Sequence, residues 1–329
     1  MNNEATRKIL EQTEIPVIAA PMFLVSSPEM VIESCIAGIV GSFPLLNART
    51  SDKLEEWLIQ ITEALAFAKE QEPNKKIAPW AVNFIVHKTN KRFEEDLELI
   101  KKYQPPVVIT SLGNPSPIVD TIHQYGGVVY ADVSTIKHAE KAAQTGVDGL
   151  ILVCNGAGGH AGTINPIAFM GEVKKFWTGT TILAGCITRG RDVLAALALG
   201  ADFAYMGTRF IATEESFASN DYKHMLVDAT LDDLIYTDAF SGIPANYLIP
   251  SISNAGMDIE NLKRKGKVDF ADMSSMSESG AKAWKDIWGA GQGVSMIESI
   301  LPTREVVKEL QQEYNEALDA ILAKQPKKV

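Results

Sequence analysis

Short apolar, β-branched runs alternate with amphipathic stretches through most of this chain. The runs are Val17–Met22, Ile39–Phe43, Ala78–Val86, Val107–Leu112, Gly127–Val133, Gly149–Asn155, Thr180–Cys186 and Phe203–Ile211. Each is short and bounded by turn residues, as a strand buried on both faces should be. Between them lie stretches with helical periodicity, among them Asp52–Lys69, Lys91–Tyr103, Ile136–Thr145 and Arg191–Leu199. Alternating strands and helices predict βα units on a parallel sheet. Eight such units between Val17 and Ile211 predict a (β/α)8 TIM barrel rather than an open doubly wound sheet.

The pattern changes after the eighth run. Residues 214–290 are mixed, with a Gly/Pro/Asn-rich middle (241–256) and a Ser/Met-rich patch (272–280). The reading is one barrel domain made of residues 1–213 and 291–329, with 214–290 inserted as a helical and irregular segment that covers the active-site face. Gly291–Ala323 is expected to be helical and to pack on the outside, and the tail QPKKV to fray. Trp284, Trp288 and the methionines of 273–276 read as core of the covering segment, and Tyr236, Phe240 and Tyr247 as candidates for a substrate pocket.

Composition narrows the function. A net charge of −10 argues against nucleic acid as a partner, because phosphate contacts need clustered Lys and Arg. The basic run 263–267 reads as a solvated turn. The N-terminal MNNEATRKILEQTE has no apolar signal core, and no run reaches the ~18 apolar residues of a membrane span, so no membrane partner and a cytoplasmic location are expected. The three cysteines are scattered and form no CxxC, which fits a reducing compartment, and the five histidines show no HxxxH spacing, so no metal site is expected. Oligomeric state is not legible, and a homo-oligomer stays open.

Barrel chemistry sits at the C-terminal ends of the strands. Those ends read Ala20-Pro21-Met22-Phe23, Asn83, Thr110-Ser111, Asp132, the loop CNGAGGHAG (154–162), Ala184-Gly185-Cys186 and Met206-Gly207-Thr208-Arg209. Gly185 and Gly207, after the last two strands, can turn backbone N–H groups toward a phosphate, with Thr208 adding a hydroxyl. A planar ring anchored there would cross the barrel mouth and meet the sixth-strand loop. Gly158 and Gly159, beside Ala157, would let backbone lie against the ring and leave His160 at the reacting centre. Asn83 and Asp132 are candidate ring contacts, and Met206 flanks the phosphate glycines. Gly156–Ala161 formally fits the dinucleotide fingerprint G-x-G-x-x-A, but Pro166 interrupts the helix start and the next strand has no acidic end, so that reading is rejected.

With these residues in view, the chain resembles the nitronate monooxygenase (2-nitropropane dioxygenase) family over nearly its whole length. The resemblance is carried by AAPMF (19–23), GAGGHAG (156–162), LAGCITRGRDVLAALALGADFAYMGTRFIATEES (183–216) and GAGQGVSMIE (289–298). It implies non-covalent FMN, with the phosphate on the backbone of Gly185, Cys186 and Gly207 and on Thr208. The ring would contact Ala20–Phe23, Asn83 and Gly158–Gly159, and His160 would be the active-site histidine. It also implies oxidation of an alkyl nitronate, O2 completing its conversion to a carbonyl compound and nitrite, with His160 as base or positive group at the nitro site. The wider group includes NAD(P)H-dependent reductases of quinones and enoyl thioesters, the alternative reading; a flavin-free barrel lyase or isomerase on a phosphorylated substrate is a third. Members often read Gln-Gly-x-Glu-Ala-Gly-Gly-His at the sixth strand end. This chain lacks the Gln and the Glu, and it carries Cys186 where a second glycine is common. These departures, with an unusual Asp132, bear on the substrate rather than on FMN.

Overall fold

Every one of the eight apolar runs forms a strand in the computed structural model, which describes residues 4–240, 242–262 and 286–324. The basic run 263–267, the Ser/Met-rich patch with its methionines, Trp284 and the tail 325–329 lie outside the described residues. In chain order the strands are β1 (Val17–Ala19), β2 (Gly41–Pro44), β3 (Trp80–Ile85), β4 (Val107–Ser111), β5 (Val128–Val133), β6 (Gly149–Val153), the short β7 (Gly159–His160), β8 (Thr180–Ala184) and β9 (Phe203–Met206). All but β7 form one parallel sheet in the order β1-β9-β8-β6-β5-β4-β3-β2. Its two ends meet: Ile18 bridges Val40, the Ala19 N–H donates to the Val40 carbonyl (2.8 Å), and the Val40 N–H donates to that of Val17 (3.0 Å). The sheet thereby closes into the expected (β/α)8 barrel.

The period-2 side-chain alternation of each strand builds two cores at once. Ile18, Val40, Ile109, Ile151, Ile182 and Phe203 fill the barrel interior. Their neighbours Val17, Val82, Val108, Leu150, Leu183 and Ala204 face outward and pack against the helices. Those helices are α2 (Pro28–Ile36), α3 (Ser51–Gln71), α4 (Phe93–Tyr103), α5 (Ser116–Gln124), α6 (Ile136–Ala143), α7 (Pro166–Val173) and α8 (Gly190–Ala198). Ser27, Thr50, Thr135 and Asn165 cap four of them, each side chain accepting a backbone N–H of the first turn. The helix α1 (Glu4–Glu11) plugs the N-terminal end of the barrel. There Ile9 joins the interior core, and Thr6 Oγ1 lies within hydrogen-bond distance of Tyr130 OH (3.3 Å) and Thr180 Oγ1 (2.8 Å).

Several element limits shift by a few residues from the sequence reading, and two of the shifts have a visible cause. The eighth strand stops at Met206, because Gly207 turns the backbone into helical space (φ −105°, ψ −67°) ahead of the single turn α9 (Thr208–Ile211). The final helix does not begin at Gly291. Glycines 291 and 293 and Pro302 keep that stretch irregular, apart from a short 3-10 turn at Val294–Met296.

The chain after α9 forms α10 (Asn220–Asp228), β10 (Leu234–Thr237), β11 (Ala245–Leu248) and α11 (Ile249–Asn254), and closes with α12 (Thr303–Ala323). Strand β11 lies antiparallel between β10 and β7, so the inserted chain supplies a small second sheet at the barrel mouth.

The helix α12 packs on α8 at a spot only glycine can occupy. A Cβ on Gly190 would stand 2.1 Å from the Leu310 carbonyl oxygen and 2.4 Å from the Tyr314 nitrogen, while the Gly190 N–H donates to Glu313 (2.6 Å). Gly190→Ala is expected to push the two helices apart at a cost of about 1–3 kcal/mol or more. Thermal melting checks this, and an unchanged midpoint would contradict the packing described.

Candidate active site

A cavity of about 960 Å³ opens at the C-terminal ends of the barrel strands. Pro21, Phe23, Asn83, Asp132, Val153 and His160 line it, with Ile243 of the inserted chain over them. Six residues from five separate segments thus meet there, four of them sequence candidates for ring contacts and one the candidate catalytic histidine. The loop carrying Pro21 and Phe23 is held by Asn47, whose side chain accepts from the Leu24 N–H (2.9 Å) and donates to the carbonyls of Met22 (3.0 Å) and Ser26 (2.9 Å). That clamp keeps Leu24 at φ +63°, a conformation rare outside glycine. Asn47 has no distinguishing neighbour in the sequence and was not legible as part of the site.

His160 is fixed by tertiary pairing. The loop leaves β6, turns at Gly156 (φ +78°) and Gly159 (φ +66°), and enters β7, where His160 pairs with Ala245 and Gly159 with Asn246 of β11. Asn246 Nδ2 donates to the Ala157 carbonyl (2.7 Å), and Tyr236 OH to that of Ala161 (2.9 Å). No helix opens from the glycine loop; α7 starts only at Pro166 behind its Asn165 cap, as rejection of the dinucleotide fingerprint requires. Burial pushes the imidazole down to about 4, so it is neutral near pH 7. A Cβ on Gly159 would meet nothing within 4 Å, so that glycine serves the backbone turn and leaves open space beside the histidine.

A glycine cradle stands beside the cavity, at the ends of β8 and β9. Gly185 has φ +116°, and Cys186 follows in the left-handed region at φ +57°. Cys186 is thus exposed and strained rather than a small packed residue, and it adopts the glycine-type conformation at a cost of about 1–3 kcal/mol. The segment GAGQG (289–293) closes the cradle. The Gly291 N–H donates to Thr208 Oγ1 (2.9 Å), and the Gln292 N–H donates to the Gly156 carbonyl (2.8 Å). A Cβ on Gly158 would lie 2.8 Å from the Gly291 nitrogen, and one on Gly291 would lie 3.0 Å from the Gly158 nitrogen. Backbone from four loops therefore meets with no room for side chains between. Gly291 and Gln292 were not among the sequence candidates; three glycines in five residues were the available signal.

The remaining candidates divide. The Gly207 position faces Met22 at ordinary contact distance (3.6 Å), so crowding alone does not demand glycine there. Met206 is fully buried in the barrel–helix core, and its carbonyl accepts the Ala20 N–H (2.9 Å), so the side chain is structural. Tyr236, Phe240 and Tyr247 do not line the cavity. Phe240 packs edge-on to the buried Tyr247, and Tyr236 serves the Ala161 carbonyl, so the pocket reading of these aromatics is corrected. Trp288 stacks on Tyr222 (4.9 Å between centroids) within the core of the inserted chain. Among the described residues no group of three or more His, Cys, Asp or Glu is gathered to hold a metal.

Asp132 lines the cavity from β5, half-buried as a residue but with its Oδ1 atom fully buried. Ser111 donates to its Oδ2 (2.5 Å), and Asn83 Nδ2 donates to Ser111 Oγ (2.7 Å). Among the described residues its Oδ1 has no hydrogen-bond partner. Burial raises the carboxyl to about 6, against the lowering effect of Ser111.

The sequence model of the nitronate monooxygenase family matches residues 4–313. The chain is 26% identical to the nitronate monooxygenase of Paraburkholderia phytofirmans, over 93% of this chain and 94% of that protein. A shorter match, 32% identical over 165 residues, takes in 50% of this chain and 44% of a Mycobacterium tuberculosis protein. Among solved structures, FabK from Thermotoga maritima superposes with a TM-score of 0.78 at 24% identity, over 98% of this chain and 99% of that one. Nitroalkane oxidase from Streptomyces ansochromogenes does so with 0.78 at 23% identity, over 95% and 99%. At these identities the two structures speak for the barrel fold alone.

The buried carboxyl carries a stability signature. Its folded pKa lies above the unfolded one, so protonated Asp132 favours the fold and that contribution is lost as pH rises through about 6. Asp132→Asn is expected to be nearly neutral at about pH 4 and to stabilise by up to about 3 kcal/mol above about pH 7. Denaturant titrations of both proteins at the two pH values check this; a difference independent of pH would contradict it.

Proposed function

The chain belongs to the nitronate monooxygenase family, and from that premise we propose that it oxidises alkyl nitronates with O2, using FMN, to a carbonyl compound and nitrite. The observation that carries the reading is a half-buried, neutral His160 facing the same cavity as Pro21, Phe23, Asn83 and Asp132, with a side-chain-free cradle beside it.

The residues present fit FMN. The phosphate would rest on the backbone of Gly185, Cys186 and Gly207 and on the Thr208 hydroxyl, whose oxygen already accepts the Gly291 N–H. The Cβ positions of Gly158 and Gly291 are blocked by each other's backbone, so these glycines close the cradle tightly and put no side chain between its loops. The ring would lie along Ala20–Phe23, Asn83 and Ala157–Gly159, with the unpartnered Asp132 Oδ1 at its edge. When bound, FMN supplies the acceptance of electrons from substrate and the reaction with O2.

His160 works on the substrate side. A neutral imidazole can donate its N–H to a nitronate oxygen, and the anion's charge then favours the imidazolium and draws its pKa up. Toward a neutral nitroalkane the same ring accepts the α-proton. Phe23, Pro21, Val153 and Ile243 supply an apolar wall that keeps water from this exchange. Arg189 is tied to Asp192, and Arg209 to Glu309 and the Ser299 carbonyl, so these strand-end cations serve the fold rather than the phosphates of a nicotinamide. This supports the nitronate over the reductase reading.

His160→Asn is expected to retain FMN and to slow nitronate turnover by about 10²–10⁴-fold. Wild-type kcat/KM on a neutral nitroalkane should hold as pH falls through the ordinary histidine range (about 6.5), because the free imidazole charges only near 4. The deciding measurement is the flavin spectrum of the FMN-loaded protein under anaerobic conditions, after ethylnitronate and separately after NADH and NADPH. Bleaching by nitronate alone supports the proposal. Fast bleaching by a nicotinamide with no nitronate response transfers it to quinone or enoyl-thioester reduction. A protein that takes up no FMN sinks both and leaves the flavin-free lyase or isomerase.

A further inference from the structure

The two carboxyl oxygens of Asp132 meet different surroundings, and the polarity of the difference can be read from its neighbours. Asn83 Nδ2 lies 3.3 Å from the Ile109 carbonyl oxygen and 2.7 Å from Ser111 Oγ, so this end of the side chain is the amide NH2, donating to both. Ser111 Oγ, already accepting, turns its own hydrogen onto Asp132 Oδ2 at 2.5 Å. Oδ2 is therefore committed as an acceptor. Oδ1 is buried, has no hydrogen-bond partner among the described residues, and belongs to a residue that lines the cavity. Any proton taken up by this carboxyl belongs on Oδ1, the oxygen with no donor set against it.

No cation acts on the proton affinity of Asp132, although Lys141 lines the same cavity. Ser111 comes from β4 and Asn83 from β3, both neutral. Val153 faces the cavity from β6. On β9, Tyr205 stays a neutral phenol, raised by burial and then by the Asp132 charge. His160 stands in the same cavity as a neutral ring, and His87, His138 and Lys141 line it as well. No salt bridge to Asp132 forms among the described residues, and the effects that set its proton affinity are burial and the Ser111 hydrogen bond. An ionised Oδ1 would stay both desolvated and unpartnered, which is costly. A protonated Oδ1 is a donor that needs an acceptor.

We propose that Asp132 binds the flavin as the neutral acid, its Oδ1 proton donated to an acceptor atom on the edge of the ring, so that FMN binding takes up a proton. This rests on the FMN reading above. The ring covers the cavity floor, removes residual water from the carboxyl and supplies the acceptor that the protein does not. Asp132 is thereby a cofactor-binding residue whose protonation sets how tightly the ring is held as pH changes.

The test is FMN affinity, read by fluorescence quenching on the apoprotein between about pH 5.5 and about pH 8.5, for wild type and Asp132→Asn. Asparagine keeps an oxygen for Ser111 and places an NH2 where the acid O–H stood, a fixed mimic of the protonated form. The FMN phosphate and His160 titrate in both proteins, so the ratio of wild-type to variant Kd isolates Asp132. That ratio is expected near 1 at about pH 5.5 and to rise at least about tenfold by about pH 8. Calorimetry of the wild type alone, in two buffers of different ionisation enthalpy, should show uptake approaching one proton per FMN at about pH 8; this arm stands even if the variant fails to fold. A flat ratio, weaker binding by the variant at every pH, or no proton uptake overturns the inference while leaving the FMN reading intact. FMN binding to neither protein removes that reading, and this one with it.

Discussion

A two-residue strand, Gly159–His160, paired antiparallel with Ala245–Asn246, ties the barrel mouth to the chain inserted after the eighth barrel strand. Much depends on so short a pairing because the glycine loop before it cannot hold itself. Gly156 and Gly159 both sit at positive φ, where glycine carries the largest loss of chain freedom on folding. The ladder hydrogen bonds, the Asn246 amide on the Ala157 carbonyl and the Tyr236 hydroxyl on the Ala161 carbonyl offset that loss. Asn246 and Tyr236 come from the inserted chain. The chain after the eighth barrel strand thus positions the histidine, and Ile243 from the same stretch sets one wall of the cavity. A barrel with a different insertion would place the same histidine against a different space, a physical basis for divergent substrates on one flavin-type mouth.

Burial acts on the two ionisable groups of the mouth in opposite directions and toward one result. It lowers His160 and raises Asp132, each change favouring the uncharged form. Asp132 has no salt bridge among the described residues, while the strand-end arginines Arg189 and Arg209 are spent on Asp192 and Glu309. Both groups are thus biased toward the uncharged form, although Lys141 lines the same cavity and the chain carries −10 overall. A cavity of this kind favours a ligand that brings its own polarity, such as a planar ring with acceptor edges or a delocalised anion, over one needing a fixed counter-ion.

The barrel was legible because its strands are buried on both faces, which makes each a continuous apolar run rather than an alternating one. His160 was legible because four glycines surround it at a strand end. What escaped depends on partners distant in the chain. Nothing about Gly159-His160 announces a strand; Ala245 makes it one. GAGQG (289–293) reads as the entry to the last helix, and only its contacts with Gly156, Gly158 and Thr208 bring it to the cradle. Asn47 looks like any loop asparagine until its three bonds to the Met22–Ser26 turn are counted. The aromatics Tyr236, Phe240 and Tyr247 misled for a related reason: composition marks them as pocket formers, but Tyr247 is buried in a separate core with Phe240 against it, and Tyr236 is exposed with its hydroxyl on the Ala161 carbonyl.

Backbone strain collects at the barrel mouth, beside the candidate site. Non-glycine residues at positive φ are Leu24, Gln104, Leu112 and Cys186. Gln104 only ends α4, but Leu24, Leu112 and Cys186 follow β1, β4 and β8 at the mouth. Each such conformation costs about 1–3 kcal/mol and persists only where its surroundings over-determine it. At Leu24 the over-determination is visible in the Asn47 clamp. At Cys186 it comes from Gly185 on one side and Gln292 on the other, whose Oε1 lies 3.7 Å from the thiol sulfur. The barrel tolerates this because its closure does not run through the mouth: the Ile18–Val40 bridge and the α1 plug hold the strands below it. Stability and site geometry are thereby separated along the barrel axis, and the strand-end loops are free to adopt turns that a fold relying on them for closure could not keep.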